Sequence, residues 1–220
     1  MLIFLVKAST ARTEPDFNVR SLAGSSGRLD VIARCVIAAF RTRTGVRRSV
    51  MLMVVLEGPP SPPKLLEIAG GELESVPESE VDVALAIADA LRGSGPPGYR
   101  VRRESFRDAV LELLSREGLE LYYLHERGKD IRTQEFGGRG VAFVLGDHLG
   151  LDKESEDFLD RLGVARISLG PRVYLTSHCI TMVLDEFERR GLLGAVCGGA
   201  SPHDSAQVSV FIPGYQLAGS

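Results

Sequence analysis

Three stretches of this 220-residue chain end an apolar run in glycine and polar side chains: Tyr123-Leu-His-Glu-Arg-Gly128, Val144-Leu-Gly-Asp-His-Leu-Gly150 and Ile167-Ser-Leu-Gly-Pro171. Glycine at the end of a strand lets a ligand approach the backbone closely. One such turn is common, but three in succession predict a shared pocket. The other recurring chemistry is the guanidinium group. Of 26 basic residues 22 are Arg, whose planar fork suits bidentate contact with phosphate. Genomic base composition or surface ion pairing would give the same bias.

Other chemistries lack their spacing. There is no G-x-x-x-x-G-K-[ST], and Gly137-Gly-Arg-Gly140 precedes a strand instead of following one, which argues against a Walker or dinucleotide phosphate site. His125, His148, His178 and His203 show no tight ligand spacing, so no metal is expected. No G-x-S-x-G elbow serves a serine hydrolase. Cys35, Cys179 and Cys197 are odd in number and form no C-x-x-C pair, which points to a reducing compartment.

The elements that must position these groups follow from periodicity. Leu2 to Ala8 predicts a buried strand. Gly27 to Gly45 predicts a helix with Leu29, Ile32, Ala33, Val36, Ile37 and Phe40 on one face, ended by Gly45. Ser49 to Glu57 is a second strand, and the proline-rich Gly58 to Pro63 turn returns Lys64 to Ala69 against it. Ser79 to Leu91 is helical, Gly93 to Gly98 is a linker, and Glu104 to Glu117 is a helix with Phe106, Val110, Leu113 and Leu114 inward. Strand 119–124, strand 141–145, helix 155–162, strand 165–169 and helix 177–190 then alternate as a parallel α/β sheet requires. In such sheets the ligand site lies beyond the carboxyl ends of the strands.

Composition places the chain among ordinary globules, with 44% apolar and 25% charged residues. Its longest apolar run, within Ser49 to Leu56, is far short of the ~20 residues that span a bilayer, so no membrane association is expected. Met1 to Lys7 lacks a basic start and a cleavage pattern and suits a first strand better than a signal peptide. A cytosolic location is expected. The net charge of -3 hides an asymmetry: residues 12–48 carry eight Arg against three acids, whereas residues 57–91 carry eight acids against Lys64. Such a distribution could present one basic face to a polyanion, or merely solvate helix faces.

Gly24-Ser-Ser-Gly-Arg-Leu-Asp30, Tyr122-Tyr-Leu-His125, Val144-Leu-Gly-Asp-His148, Arg166-Ile-Ser-Leu-Gly-Pro171 and Ser177-His-Cys-Ile-Thr181 occur in this order. The set resembles the archaeal tRNA pseudouridine-54 N1-methyltransferases of the SPOUT superfamily, from about Leu2 to Arg190. Gly191 to Ser220 is not covered and is expected to be a C-terminal extension of a single 1–190 domain. The resemblance implies an α/β fold of SPOUT type, a mostly parallel sheet flanked by helices with a C-terminal trefoil knot, against the general rule that chains are unknotted. It implies a homodimer packed through knot helices and S-adenosylmethionine held in the knot loops. Carried over, the cofactor contacts are Leu124, Gly146, Ile167, Leu169, Gly170, Pro171 and Cys179.

The implied reaction is methylation of N1 of pseudouridine in the tRNA T-loop. Asp30 is the preferred group to accept the N1 proton or orient the base, with Arg28 on a phosphate or base carbonyl. A plain i, i+4 pair between Asp30 and Arg34 is the competing reading. His178 could be the base or a structural histidine, and Cys179 an activated thiol or a small group lining the cofactor site. The tRNA tracks implied are Arg12, Arg20, Arg47 and Arg48, then Arg100, Arg102 and Arg103. Alternatives are the same chemistry, or ribose 2'-O-methylation, on another RNA such as rRNA, and a catalytically silent RNA-binding factor.

Overall fold

The computed structural model describes residues 1–193. The chain begins with β1 (Leu2–Ala8), central in its sheet, and every residue of this strand is buried. Its apolar run fits a strand covered on both faces. A short α1 (Leu22–Ser25) leads to α2 (Leu29–Phe40), then to a small hairpin of β2 (Arg41–Thr42) and β3 (Gly45–Val46). β4 (Val50–Leu56), β5 (Lys64–Ala69), α3 (Glu80–Leu91), β6 (Tyr99–Arg102) and α4 (Phe106–Ser115) follow. The last third contains β7 (Leu119–Asp130), β8 (Gly140–Gly146), α5 (Lys153–Arg161), β9 (Ala165–Ser168) and α6 (Thr176–Arg189).

Seven strands form one sheet in the order β6-β5-β4-β1-β8-β7-β9. The pairs β4·β1, β1·β8, β8·β7 and β7·β9 are parallel, while β5 and β6 add an antiparallel margin. Alternation in β1 sends Phe4 and Val6 into a core with α2, α3 and α6, and Ile3 and Leu5 into a second core with α4 and α5. The result is a mixed α/β fold with a mostly parallel central sheet. Lys7 interrupts the apolar pattern at the strand end. Its buried ammonium bonds Asp152 and Ser155 Oγ (2.9 Å), with Glu57 at 3.3 Å. No helix among the described residues is long and apolar enough to cross a membrane.

Several boundaries differ from the sequence expectation. The helix predicted to run to Gly45 stops at Phe40, and Gly45 instead opens β3, paired with Thr42, at φ +143°. The basic segment after the Gly/Pro linker is a strand, β6, in which Tyr99 is buried while Arg100 and Arg102 face solvent. Leu114, expected inward, is 40% exposed, because the apolar stripe of α4 is narrower than its leucines suggest. β7 continues past Leu124: Leu124 and Lys129 both register with Ile167, so residues 125–128 bulge out between them. Of the expected C-terminal extension, residues 194–220 lie outside the described residues.

Candidate functional site

The three glycine-bearing turns do converge. Leu124, His125 and Glu126, at and within the bulge of β7, and the turns after β8 and β9 line a cavity of about 450 Å³, closed by the N-terminal turns of α2 and α6. That volume is ordinary for a small-molecule site. The wall is shaped by backbone. A Cβ at Gly146 would fall 2.0 Å from the Gly150 carbonyl carbon, so only glycine lets the 146–150 turn fold back on itself. Thr176 Oγ1 donates to the Gly146 carbonyl (2.9 Å), tying α6 to this turn. The Asp147 carboxylate accepts from the Ser9 and Leu149 N–H groups, both at 2.8 Å, which locks the turn against the end of β1.

Of the expected cofactor contacts, Leu124, Gly146, Leu169, Gly170 and Cys179 line the cavity. Ile167 and Pro171 do not. Ile167 is 1% exposed and serves as the sheet partner of β7, and Pro171 turns outward. Burial pushes the Cys179 thiol up to about 11, so it stays protonated near neutrality and acts as a small wall group. Cys35 is fully buried in the core. His178 is exposed and outside the cavity wall.

Arg28 and Asp30 sit at the cavity rim as one unit. Arg28 has φ +71°, a left-handed conformation that a non-glycine residue adopts at a cost of roughly 1–2 kcal/mol. Its Nε and Nη2 donate to the two oxygens of Asp30 at 2.9 and 3.0 Å. Arg34, one turn on, donates Nη2 to Asp30 Oδ2 at 2.8 Å. The i, i+4 pair of Asp30 with Arg34 is formed, and Asp30 also clamps Arg28, so that it holds two guanidiniums that line the cavity. Burial disfavours the Asp30 charge, but hydrogen bonds from Arg28 and the charges of Arg28 and Arg34 outweigh it. They hold the carboxyl below the usual carboxylate range.

The seven arginines expected along RNA divide by partner. Arg102 is bound by Glu67 (2.6 Å), Glu104 and Glu112, Arg100 by Glu72 (2.5 Å), and Arg12 by Asp16. Arg47 bridges Glu188 (2.8 Å) to the Arg41 carbonyl, and Arg48 donates to the Gly71 and Leu73 carbonyls. Arg20 and Arg103 are exposed, and among the described residues no carboxylate pairs with either side chain. The sequence argument missed Arg172, Tyr174 and Glu156 in the cavity wall. Arg172 follows the third glycine turn directly and was within reach of that reasoning, whereas Glu156 on α5 carried no local signal.

A family model described as "Putative SAM-dependent RNA methyltransferase" matches residues 1–192. A protein of Methanocaldococcus jannaschii named tRNA (pseudouridine(54)-N(1))-methyltransferase is 37% identical over 200 residues, covering 85% of this chain and 96% of that protein. A protein of the same name from Pyrococcus abyssi is 40% identical over 206 residues, covering 87% of this chain and 100% of that protein. Among solved structures, Archaeoglobus fulgidus Nep1 bound to S-adenosylhomocysteine superposes with a TM-score of 0.52 at 14% identity, covering 86% of this chain and 97% of that one. This last likeness is one of fold.

Proposed function

The chain belongs to the family of SAM-dependent RNA methyltransferases, and from that premise we propose that it methylates N1 of pseudouridine 54 in the T-loop of tRNA. The observation that carries the reading is the glycine-walled cavity at the bulge of β7 and the turns after β8 and β9, with the Arg28–Asp30–Arg34 cluster at its rim. The fit to an adenosyl group rests on a cavity of about 450 Å³ whose wall combines glycine backbone at Gly146 and Gly170 with the apolar Leu124 and Leu169. Leu124, Gly146, Leu169, Gly170 and Cys179 would hold the cofactor, with Ile167 and Pro171 supporting the turn that carries Leu169 and Gly170.

When bound, S-adenosylmethionine supplies a methyl group already made electrophilic by its sulfonium. The chain's task is then alignment, and well-oriented reactants can lower a barrier by ~7 to 11 kcal/mol. Asp30, held anionic by two guanidiniums, is a weak base but a firm acceptor for the N1–H hydrogen bond. It also fixes Arg28, whose remaining N–H donors stabilise the negative charge that grows on the base carbonyls as the N1 proton is released to solvent water. The target base must leave its stack to reach this rim. Arg20 and Arg103, which no carboxylate neutralises, are the predicted arginines best able to hold RNA phosphates.

The reading extends to architecture. We assign residues 1–190 to one catalytic domain with a C-terminal trefoil knot, and 191–220 to an extension. The knot is carried by the motif resemblance of residues 144–148, 166–171 and 177–181, which lie on β8, β9, α6 and the turns that follow the two strands. A homodimer through the knot helices is supported by Leu149, Val173 and Leu175, which are 64, 89 and 59% exposed around the cavity mouth. A tRNA substrate places the protein in the cytoplasm. Mass spectrometry of nucleosides from a tRNA transcript, with and without prior conversion of uridine 54 to pseudouridine, tests the function. The expected product is N1-methylpseudouridine at that position. Methyl transfer that does not require the isomerised base would overturn the assignment.

A further inference from the structure

The cavity wall carries charges of both signs. Arg28, Arg34 and Arg172 line it together with the carboxylates of Glu126, Asp147 and Glu156. Most of these charges already have partners. Arg28 and Arg34 share Asp30, and Asp147 spends its oxygens on two backbone N–H groups. Glu126 is exposed to solvent. Glu156 differs, because its side chain is only 29% exposed and, among the described residues, no Lys or Arg approaches it within 4 Å.

The group nearest to Glu156 is His125, whose Nε2 stands 3.8 Å from Oε1. The Arg127 N–H donates to His125 Nδ1 at 3.0 Å, so the neutral ring carries its proton on Nε2, the side toward Glu156. Glu156 also lies in the first turn of α5, where the helix dipole favours a negative charge. Glu156 thus places a half-buried carboxylate in the cavity wall with no Lys or Arg within 4 Å of it among the described residues.

We propose that Glu156, oriented by His125, receives the α-ammonium of the cofactor's amino-acid tail. The inference rests on the cofactor reading above. The cofactor has two cationic groups, and transition-state logic separates them. An anion against the sulfonium would stabilise the donor more than the transition state, in which that charge is being lost, and would slow transfer. An anion against the ammonium is neutral toward the reaction and contributes only binding. It also leaves Arg28 and Arg34 to the RNA.

Calorimetry with S-adenosylhomocysteine and 5'-methylthioadenosine tests this directly, because the second ligand has the same nucleoside and thioether but no amino acid. Glu156→Gln is expected to weaken S-adenosylhomocysteine about tenfold, the scale of one charge-assisted hydrogen bond, and to leave 5'-methylthioadenosine within about twofold. Binding of the latter also reports that the variant is folded. Glu154→Gln, on the same helix but paired with Arg107 (2.7 Å) outside this cavity, is expected to change neither. Equal loss for both ligands, or no loss for either, overturns the proposal. A wild-type protein that binds neither ligand defeats the cofactor reading itself, which is a separate failure.

Discussion

Replacing Asp30 by Asn removes the charge that holds two guanidiniums and turns one acceptor oxygen into a donor facing them. Asp30 is 6% exposed and accepts three hydrogen bonds of 2.8 to 3.0 Å. Charge-assisted bonds contribute ~1.5–3 kcal/mol each when buried. Arg28 is 39% exposed, and after discounting for solvent its clamp is worth about 1–2 kcal/mol. That matches the roughly 1–2 kcal/mol cost of the left-handed Arg28 backbone, so without Asp30 the guanidinium is released from its position. Loss of one pre-oriented donor typically costs ~10²–10³ in turnover. Single-turnover transfer of labelled methyl to pseudouridine-containing tRNA should therefore slow by about 10²-fold. Calorimetric affinity for S-adenosylhomocysteine should stay within about twofold, since Asp30 itself is not part of the cavity wall. A rate within about threefold of wild type would refute the argument and return Asp30 to a plain ion pair.

Other consequences are equally direct. Arg102→Ala should destabilise the fold by about 1–3 kcal/mol, because Glu67, Glu104 and Glu112 are left to repel one another, yet the salt dependence of tRNA binding should not change. Arg103→Ala should leave thermal stability intact and reduce that salt slope by about 1; filter binding across a salt series separates the two. Gly146→Ala should lower both the melting temperature and the affinity for S-adenosylhomocysteine at least about tenfold, since the new Cβ meets backbone of the 146–150 turn; a fully active, fully stable variant would show that the turn is not a rigid wall. The Asp152 carboxyl is opposed by burial but held down to about 2 by Lys7 and by the Ser155 N–H. Its stabilisation is complete above the ordinary aspartate range and is lost as pH falls toward 2. Asn still caps α5, so Asp152→Asn should melt a few degrees lower at pH 7, by about 0.5–1 kcal/mol for this half-exposed group, and the gap in melting temperature should close toward pH 2.

Much of the frame was legible in the sequence because it is encoded locally. The seven-residue run at Leu2 to Ala8 specifies a strand buried on both faces, and 3.6-residue spacing marks Leu29 to Phe40 as a helix. Glycines after β8 and β9 located the cavity, since a glycine that must admit close backbone approach leaves its signature at one position, whereas Gly128 lies in the bulge of β7 against the Ile167 backbone. β6 was not legible. Tyr99-Arg-Val-Arg102 is too short to show a period, and only its antiparallel pairing with β5 makes it a strand.

The sequence by itself therefore determined the alternation of strands and helices, the turns that build the site, and the Arg28–Asp30 and Asp30–Arg34 spacings. Tertiary structure decided which charges remain free. Arg102 is enclosed by carboxylates because strand pairing and α4 bring Glu67 and Glu112 to it from 35 and 10 residues away. Glu156 stands in the cavity wall because the order of strands sets α5 beside the bulge of β7 that carries His125. Periodicity and turn chemistry act over a few residues and can be read along the chain. Charge pairing acts through space, so it is settled only when the sheet order fixes which distant segments become neighbours.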